Sequence, residues 1–215
     1  MSLKINEIFY SIQGESTFAG HPCTFVRLTG CNLRCSYCDT RYAYEEGDEM
    51  EISEVLSRVQ QYQCPLVEIT GGEPLIQKET PRLINQLLDL GHKVLLETNG
   101  SQDIDLVDQR CIKIVDFKCP SSGESKSSKL DNIAKISEHD EIKFVIGTRE
   151  DYDYARRIIE TLQIDPFRAN QILLSAVFGQ LEPSKLAQWI LDDHLDVRMQ
   201  LQMHKFIWNP NQRGV

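Results

Sequence analysis

The chain has 215 residues, 41% of them hydrophobic, enough for one globular domain with a sizeable core. A formal charge of −9 excludes a basic face for nucleic acid, because phosphate binding needs clustered Lys and Arg. No apolar run approaches the roughly 20 residues that cross a bilayer. Met1–Ile12 lacks the basic start and apolar stretch of a signal peptide, which predicts a cytoplasmic protein with no membrane partner.

A short apolar strand leads into Gln13-Gly14-Glu15, and TFVRLT (Thr24–Thr29) reads as a second strand before a cysteine loop. Glu51–Tyr62 places Ile52, Val55, Leu56 and Val59 at helical spacing, with Ser53 as a cap. Leu66–Thr70 is a strand ending at Gly71-Gly72. Thr80–Leu90 is a helix stopped by Gly91. Strands follow at Lys93–Thr98, Ile112–Phe117 and Glu141–Ile146. The Ser-, Gly- and Lys-rich segment Cys119–Lys129 reads as a mobile loop. A helix over Asp151–Leu162, a strand Gln171–Ser175, a helix Ser184–Leu191 and a strand Val197–Met203 complete the pattern. Strands alternating with helices predict an α/β fold with a parallel sheet, and no linker divides residues 1–215. A closed eight-unit barrel takes roughly 250 residues, so this shorter chain predicts a single-domain, partial, open (β/α)6-type barrel. In such folds chemistry sits on loops at the C-terminal strand ends. Cys31–Cys38, Gly71–Pro74, Glu97–Gly100, Asp116–Lys118 and Ser175 all fall there.

Seven cysteines, an odd number in a chain read as cytoplasmic, argue against a disulfide framework. Cys31, Cys35 and Cys38 form a CxxxCxxC loop. Three thiolates hold three irons of a 4Fe–4S cubane and leave the fourth open to an amine and a carboxylate, such as those of S-adenosylmethionine (SAM). The competing reading is a zinc-stabilised binding module. Structural zinc takes four ligands, usually as two CxxC-type pairs, and His21, Cys23 and Cys64 do not supply that spacing. Iron and zinc analysis separates the two.

CxxxCxxC with Tyr37 before the last cysteine resembles the signature of the radical SAM superfamily, and Thr70-Gly71-Gly72-Glu73-Pro74 resembles its GGEP motif. More narrowly, IFYSIQGE (Ile8–Glu15), FVRLTGCNLRC (Phe25–Cys35), Tyr37-Cys38-Asp39-Thr40, Gln202-Met203-His204-Lys205 and Arg213-Gly214-Val215 resemble the 7-carboxy-7-deazaguanine synthase family. That resemblance implies a carbon–nitrogen lyase of queuosine and 7-deazapurine biosynthesis. Such enzymes contract 6-carboxy-5,6,7,8-tetrahydropterin to 7-carboxy-7-deazaguanine with loss of ammonia. They use a 5′-deoxyadenosyl radical made from SAM, which is regenerated. Magnesium binds the substrate carboxylate, flavodoxin or ferredoxin supplies the electron, and the chain pairs as a homodimer. Another small radical SAM enzyme, such as a glycyl-radical activase, would share the cysteine loop but not SIQGE or the HK segment.

The same resemblance implies roles for single residues. Cys31, Cys35 and Cys38 hold the cluster. Ile12, Gln13, Gly14, Glu15, Arg27, Thr70, His204 and Pro210 face the pterin. Glu15 reads its N–H donors and Arg27 its carboxylate. Pro210 stands where some members end with a carboxylate near the pterin, whereas this chain continues through Asn211–Val215. Tyr37, Cys38, Asp39, Gly72, Glu73, Glu97, Asn99, Asp116, Phe117, Lys118 and Ser175 meet SAM, and the Thr40 hydroxyl ligates magnesium.

Overall fold

The fold is seen in a computed structural model that describes residues 1–161 and 171–215. In chain order the elements are β1 (Ser2–Ile12), β2 (Pro22–Leu28), β3 (Asp48–Glu51), α1 (Ile52–Gln61), β4 (Leu66–Gly71), α2 (Thr80–Asp89) and β5 (Lys93–Thr98). Then come β6 (Ile112–Asp116), β7 (Glu141–Ile146), α3 (Arg149–Thr161), β8 (Ile172–Ala176), α4 (Pro183–Asp192), β9 (Arg198–Gln200) and α5 (His204–Ile207). They form one nine-stranded sheet, ordered β3-β1-β2-β4-β5-β6-β7-β8-β9. From β2 onward neighbouring strands are parallel, as expected. The antiparallel edge of β1 with β2 and β3 was not foreseen. The sheet does not close on itself, so the barrel is open.

Period-two alternation decides which residues line it. Val26, Leu28, Val67, Ile69, Val94, Leu96, Ile142, Phe144, Ile172 and Leu174 point outward into one core. There they meet Ile52, Val55 and Val59 of α1, Leu83, Ile84 and Leu87 of α2, and Tyr152 and Ala155 of α3. Each such large side chain, fully buried, contributes about 1.5–3 kcal/mol. On the inner face, Phe9, Phe25, Leu66, Leu95 and Ile114 make a smaller apolar cluster. Two residues further along the same strands stand Arg27, Glu68, Glu97 and Asp116, and Lys143 of β7 joins them. The barrel thus has an apolar floor and a polar upper wall.

Several elements differ from expectation. Glu51, not Ser53, occupies the cap position of α1, so Ser53 lies in the first turn. Gly91 does stop α2: it takes a φ of +88°, while Gly91 N and His92 N donate to Leu88 O and Leu87 O. Residues 119–135 form packed 3-10 turns, with Ser122 and Asn132 buried, in place of a mobile loop. Asn132 ties them to Gly100 O and Gln102 O. The helix after β7 begins at Arg149, and Leu162 lies outside the described residues. The last strand ends at Gln200, so His204 begins a short helix instead of lying on the strand. The chain leaves the sheet there because Met203 N donates to Gly14 O across the open side.

That open side is bridged by the loop after β1. Ser16 N donates to Gln200 Oε1 at 2.8 Å, Thr17 N to Glu141 Oε1 at 3.1 Å, and Gln202 Nε2 to Glu15 Oε1 at 2.9 Å. Among the described residues, no helix is long and apolar enough to cross a membrane.

Candidate active site

The inner face opens into a cavity of about 820 Å³, lined by residues from the β1 loop round to β7 and α5. Cys31, Cys35 and Cys38 line it together. Their loop follows β2 through Gly30 at φ +98° and is held by backbone contacts. Gly30 N donates to Ala43 O, Ser36 N to Ser122 O, and Ser36 Oγ to Ser121 O. Arg34 folds back onto Cys31 O and Leu33 O at 2.8 Å each. Burial pushes the Cys31 thiol up, and Cys35 to about 11, so loading a metal there must displace protons. Cys23, Cys64, Cys111 and Cys119 are buried elsewhere and do not reach the cavity. A donor set of three thiols fits a cubane cluster with one open iron and falls short of a four-ligand zinc site. Tyr44, unforeseen in the sequence, lines the same wall.

The Gly-Gly-Glu-Pro turn lies directly against this loop. Gly72 N donates to Leu28 O, and Glu73 N to Gly30 O at 2.8 Å. A Cβ on Gly72 would come 2.1 Å from Gly30 O and 2.7 Å from Cys31 Cβ, so only glycine fits. Gly72, Thr98, Asn99 and Tyr37 border the cavity here, and the Tyr37 hydroxyl is buried with no hydrogen-bond partner among the described residues. This polar cradle beside the thiols suits the amine, carboxylate and ribose of SAM.

Glu73 itself corrects an expectation. Its carboxylate is 0% exposed and turned away from the cavity. It accepts from Leu75 N at 3.0 Å, Thr98 Oγ1 at 2.9 and 3.0 Å, and Asn99 N at 2.7 Å. Burial raises its carboxyl even against these donors. Glu73 therefore fastens β5 to the turn and does not meet SAM through its side chain. Glu73→Ala strands these donors, and unsatisfied buried groups cost about 1–3 kcal/mol each. The expected result is a urea midpoint lowered by an amount worth about 3 kcal/mol. An unchanged midpoint would return Glu73 to the ligand.

Two other expected SAM contacts are also displaced. Phe117 is fully buried in the outer core, 6.0 Å from Phe144 between ring centres, because Asp116 takes the inward phase of β6. Ser175, in register with Val145 and Gln200, is buried and does not line the cavity. The remaining expected residues line it: Ile12, Gln13, Gly14, Glu15, Arg27, Asp39, Thr40, Thr70, Glu97, Asp116, Lys118, His204 and Pro210, together with the segment Asn211–Val215.

Arg27 Nε pairs with Glu7 Oε1 at 2.8 Å, and Tyr42 donates to that same oxygen at 3.0 Å. Glu15 pairs with Lys143, which also reaches Glu97 at 2.6 Å. Burial works to raise the Glu15 carboxyl, but Lys143, then His204 and Gln202, outweigh it and hold it low. Glu68 goes the other way: burial, reinforced by Glu97 and Glu15, raises it well above the carboxylate range. The Gln13 side chain is consumed by Glu68 and by Glu15 N, so it shapes the loop. Burial lowers the His204 imidazole against the pull of Glu15. Its ring packs on Gly14, where a Cβ would fall 2.3 Å from Nδ1. Asp116 pairs with Lys118 at 2.7 Å. Thr40 Oγ1 donates to Asp39 at 3.0 Å, and Asp39, against desolvation, is held at about 2 by Lys205. Among the described residues, no three His, Cys, Asp or Glu side chains converge on a single ion.

Glu68 and Lys143 were missed in the sequence. Their signal was there: a charge inside LVEITG and EIKFVI, in the same phase as Arg27 inside TFVRLT.

Residues 25–114 match the Radical SAM superfamily. The chain is 50% identical to the 7-carboxy-7-deazaguanine synthase of Chlorobaculum tepidum, over 99% of this chain and 97% of the relative. It is 43% identical to that of Koribacter versatilis, over 99% of this chain and 100% of the relative. The crystal structure of QueE from Escherichia coli shares the fold, with a TM-score of 0.78, 23% identity and 95% of each chain covered. Matching these relatives from end to end, the chain belongs to the 7-carboxy-7-deazaguanine synthase family of the radical SAM superfamily.

Proposed function

We propose that this chain converts 6-carboxy-5,6,7,8-tetrahydropterin to 7-carboxy-7-deazaguanine and ammonia, as a radical SAM lyase acting in the cytoplasm on the route to queuosine or another 7-deazapurine. The observation that carries this reading is one cavity lined at once by the three thiols, Gly72, Glu15 and Arg27. The bound 4Fe–4S cluster and SAM supply a 5′-deoxyadenosyl radical when a flavodoxin or ferredoxin delivers an electron. Cys31, Cys35 and Cys38 hold the cluster. Gly72, Tyr37, Asn99, Asp116 and Lys118 seat SAM.

The chain's own residues then fix the pterin. Glu15, ionised beside Lys143, accepts N–H donors from the guanidine-like edge of the ring, with backbone groups of Ile12 and Gly14 beside it. Arg27 turns its planar fork to the carboxylate at the other end, backed by Glu7 and Tyr42. Thr70 and His204 close the sides. Holding both ends of a rigid ring places the scissile C–H at the radical source, where small misplacements are costly. The test is an anaerobic assay with the tetrahydropterin, SAM and a reductant, read by mass for the deazaguanine. Unchanged pterin under reductive SAM cleavage refutes the reading.

Magnesium enters through Thr40, and the assembly is a homodimer. One neutral hydroxyl cannot satisfy an ion that takes about six oxygens, so substrate oxygens and water complete the site. Magnesium then binds weakly without pterin. Thr40→Ser keeps activity. Thr40→Val keeps the shape and lowers the rate of hydrogen abstraction by about 100-fold, with little change in stability. A wild-type rate in Thr40→Val, with the same magnesium response, places the ion elsewhere.

A further inference from the structure

Two carboxylates from different elements pair with one buried ammonium, and a third acid lines the same chamber. Glu15 comes from the loop after β1, Glu68 from β4 and Glu97 from β5, while Lys143 stands on β7. Lys143 is 5% exposed, yet it lines the cavity, as do all three acids. Its ammonium pairs with Glu15 Oε2 and, at 2.6 Å, with Glu97 Oε1. Glu68, 4% exposed, accepts from Gln13 Nε2. The other charged groups on this chamber are already engaged or held off. Arg27 of β2 is tied to Glu7, Asp116 of β6 to Lys118, and His204 of α5 packs on Gly14. Gln202 completes the ring by donating to Glu15 Oε1 at 2.9 Å.

Such an arrangement is poor value for stability. Apolar residues of similar volume usually serve a barrel interior as well or better than a buried ion pair. Its geometric effect, however, is sharp. Glu15 sits on a loop, and loop carboxylates swing. Here one oxygen pairs with the Lys143 ammonium of β7 and the other accepts from Gln202 Nε2 at 2.9 Å, so the carboxylate is held from two sides. A planar pair of N–H donors needs the carboxylate plane held, because bidentate recognition depends on coplanarity.

We propose that Lys143 is a positioning residue for the substrate: its ammonium, braced by Glu97, holds the Glu15 carboxylate flat and anionic against the N–H edge of the pterin. The proposal rests on the pterin reading of Glu15 given above. Lys143 does its work through Glu15 and makes no independent contribution to the ligand.

The test is a double-mutant cycle on pterin binding. Cluster-loaded protein, kept anaerobic with SAM omitted so that nothing turns over, is titrated with 6-carboxy-5,6,7,8-tetrahydropterin. SAM affinity is measured in parallel. Glu15→Gln and Lys143→Met each weaken pterin binding by about 30-fold or more, the usual effect of breaking a desolvated charged contact. SAM affinity stays within a few-fold. The double variant binds no worse than Glu15→Gln, because residues that act as one unit are not additive. A second signature separates positioning from mere structure. Without its ammonium, buried Glu15 retains a proton at neutral pH, so pterin affinity of Lys143→Met rises with pH between about 6 and 9. Wild-type affinity stays flat there. Should Lys143→Met fail to fold, Lys143→Met/Glu97→Gln removes one charge of each sign and carries the same comparison. Wild-type affinity in Lys143→Met overturns the proposal, and so does a double variant weakened by the product of both factors. If Glu15→Gln alone binds pterin normally, the assignment of Glu15 to the substrate fails first and takes the proposal with it.

Discussion

A Cys35→Ala protein, reconstituted anaerobically with iron and sulfide, will hold no intact cluster and show no turnover. The cavity offers three thiols and no substitute. Cys23, Cys64, Cys111 and Cys119 are packed in apolar surroundings away from it. Two thiolates cannot anchor three irons of a cubane, and the second iron left without a protein ligand invites solvent and loss of the cluster. Tyr44 and Asn99 lie beside the remaining sulfurs, Asn99 Nδ2 at 3.8 Å from Cys31 Sγ, but neither is a thiolate. The comparison is with Cys64→Ala, which removes an equally buried sulfur and keeps the cluster. The measurement is iron per chain, about four in the wild type, with the brown absorbance of the cluster. Full iron in Cys35→Ala would overturn the assignment of the loop.

Gly72→Ala is expected to be nearly as severe, through a single methyl group. The new carbon meets Gly30 O at 2.1 Å and Gly30 C at 2.6 Å, both backbone atoms of the turn that launches the cysteine loop. Neither can rotate aside, so the two turns must separate by about an ångström. Overpacking of this kind costs about 1–3 kcal/mol in stability. The larger effect falls on function, since a shift of about 1 Å between SAM and the thiols costs 100-fold or more in rate. SAM affinity by equilibrium dialysis and the single-turnover rate of SAM cleavage measure it, with Gly91→Ala as the control. Gly91, unlike Gly72, sits at a left-handed φ of +88°, yet its Cβ meets nothing within 4 Å. Equal behaviour of the two variants would reduce the effect to generic backbone strain.

The central strands were legible because they are runs of β-branched and aliphatic residues closed by Gly, Asn or Lys. The thiols were legible because their spacing is short and local. What escaped depends on phase and on distant partners. β3 is four mostly acidic residues with no apolar pattern, and it exists because β1 offers it an edge. Phase alone would have turned Phe117 outward once Asp116 was taken inward. It would also have added Glu68 and Lys143 to the wall that Arg27 marked. Glu73 was different. Its place beside Gly72 says nothing about direction, and only the nearness of Thr98 and Asn99, set by the β4–β5 pairing, shows where its carboxylate is spent. His204 was misplaced for a similar reason, since the bond from Met203 to Gly14 that lifts the chain from the sheet joins residues remote in sequence.

The bridge across the open side of the barrel also dictates when the pocket can exist. Ser16 meets Gln200 across 184 residues, and Glu15 meets Gln202 across 187. Loops that long close late, after nearer contacts have formed. During synthesis the cysteine loop, the Gly-Gly-Glu-Pro turn and the 120–122 turn that braces them have all left the ribosome while Gln200 is still unmade. A nascent chain can therefore fold its cluster half first, and it waits with Glu15 unmoored until the last strand arrives.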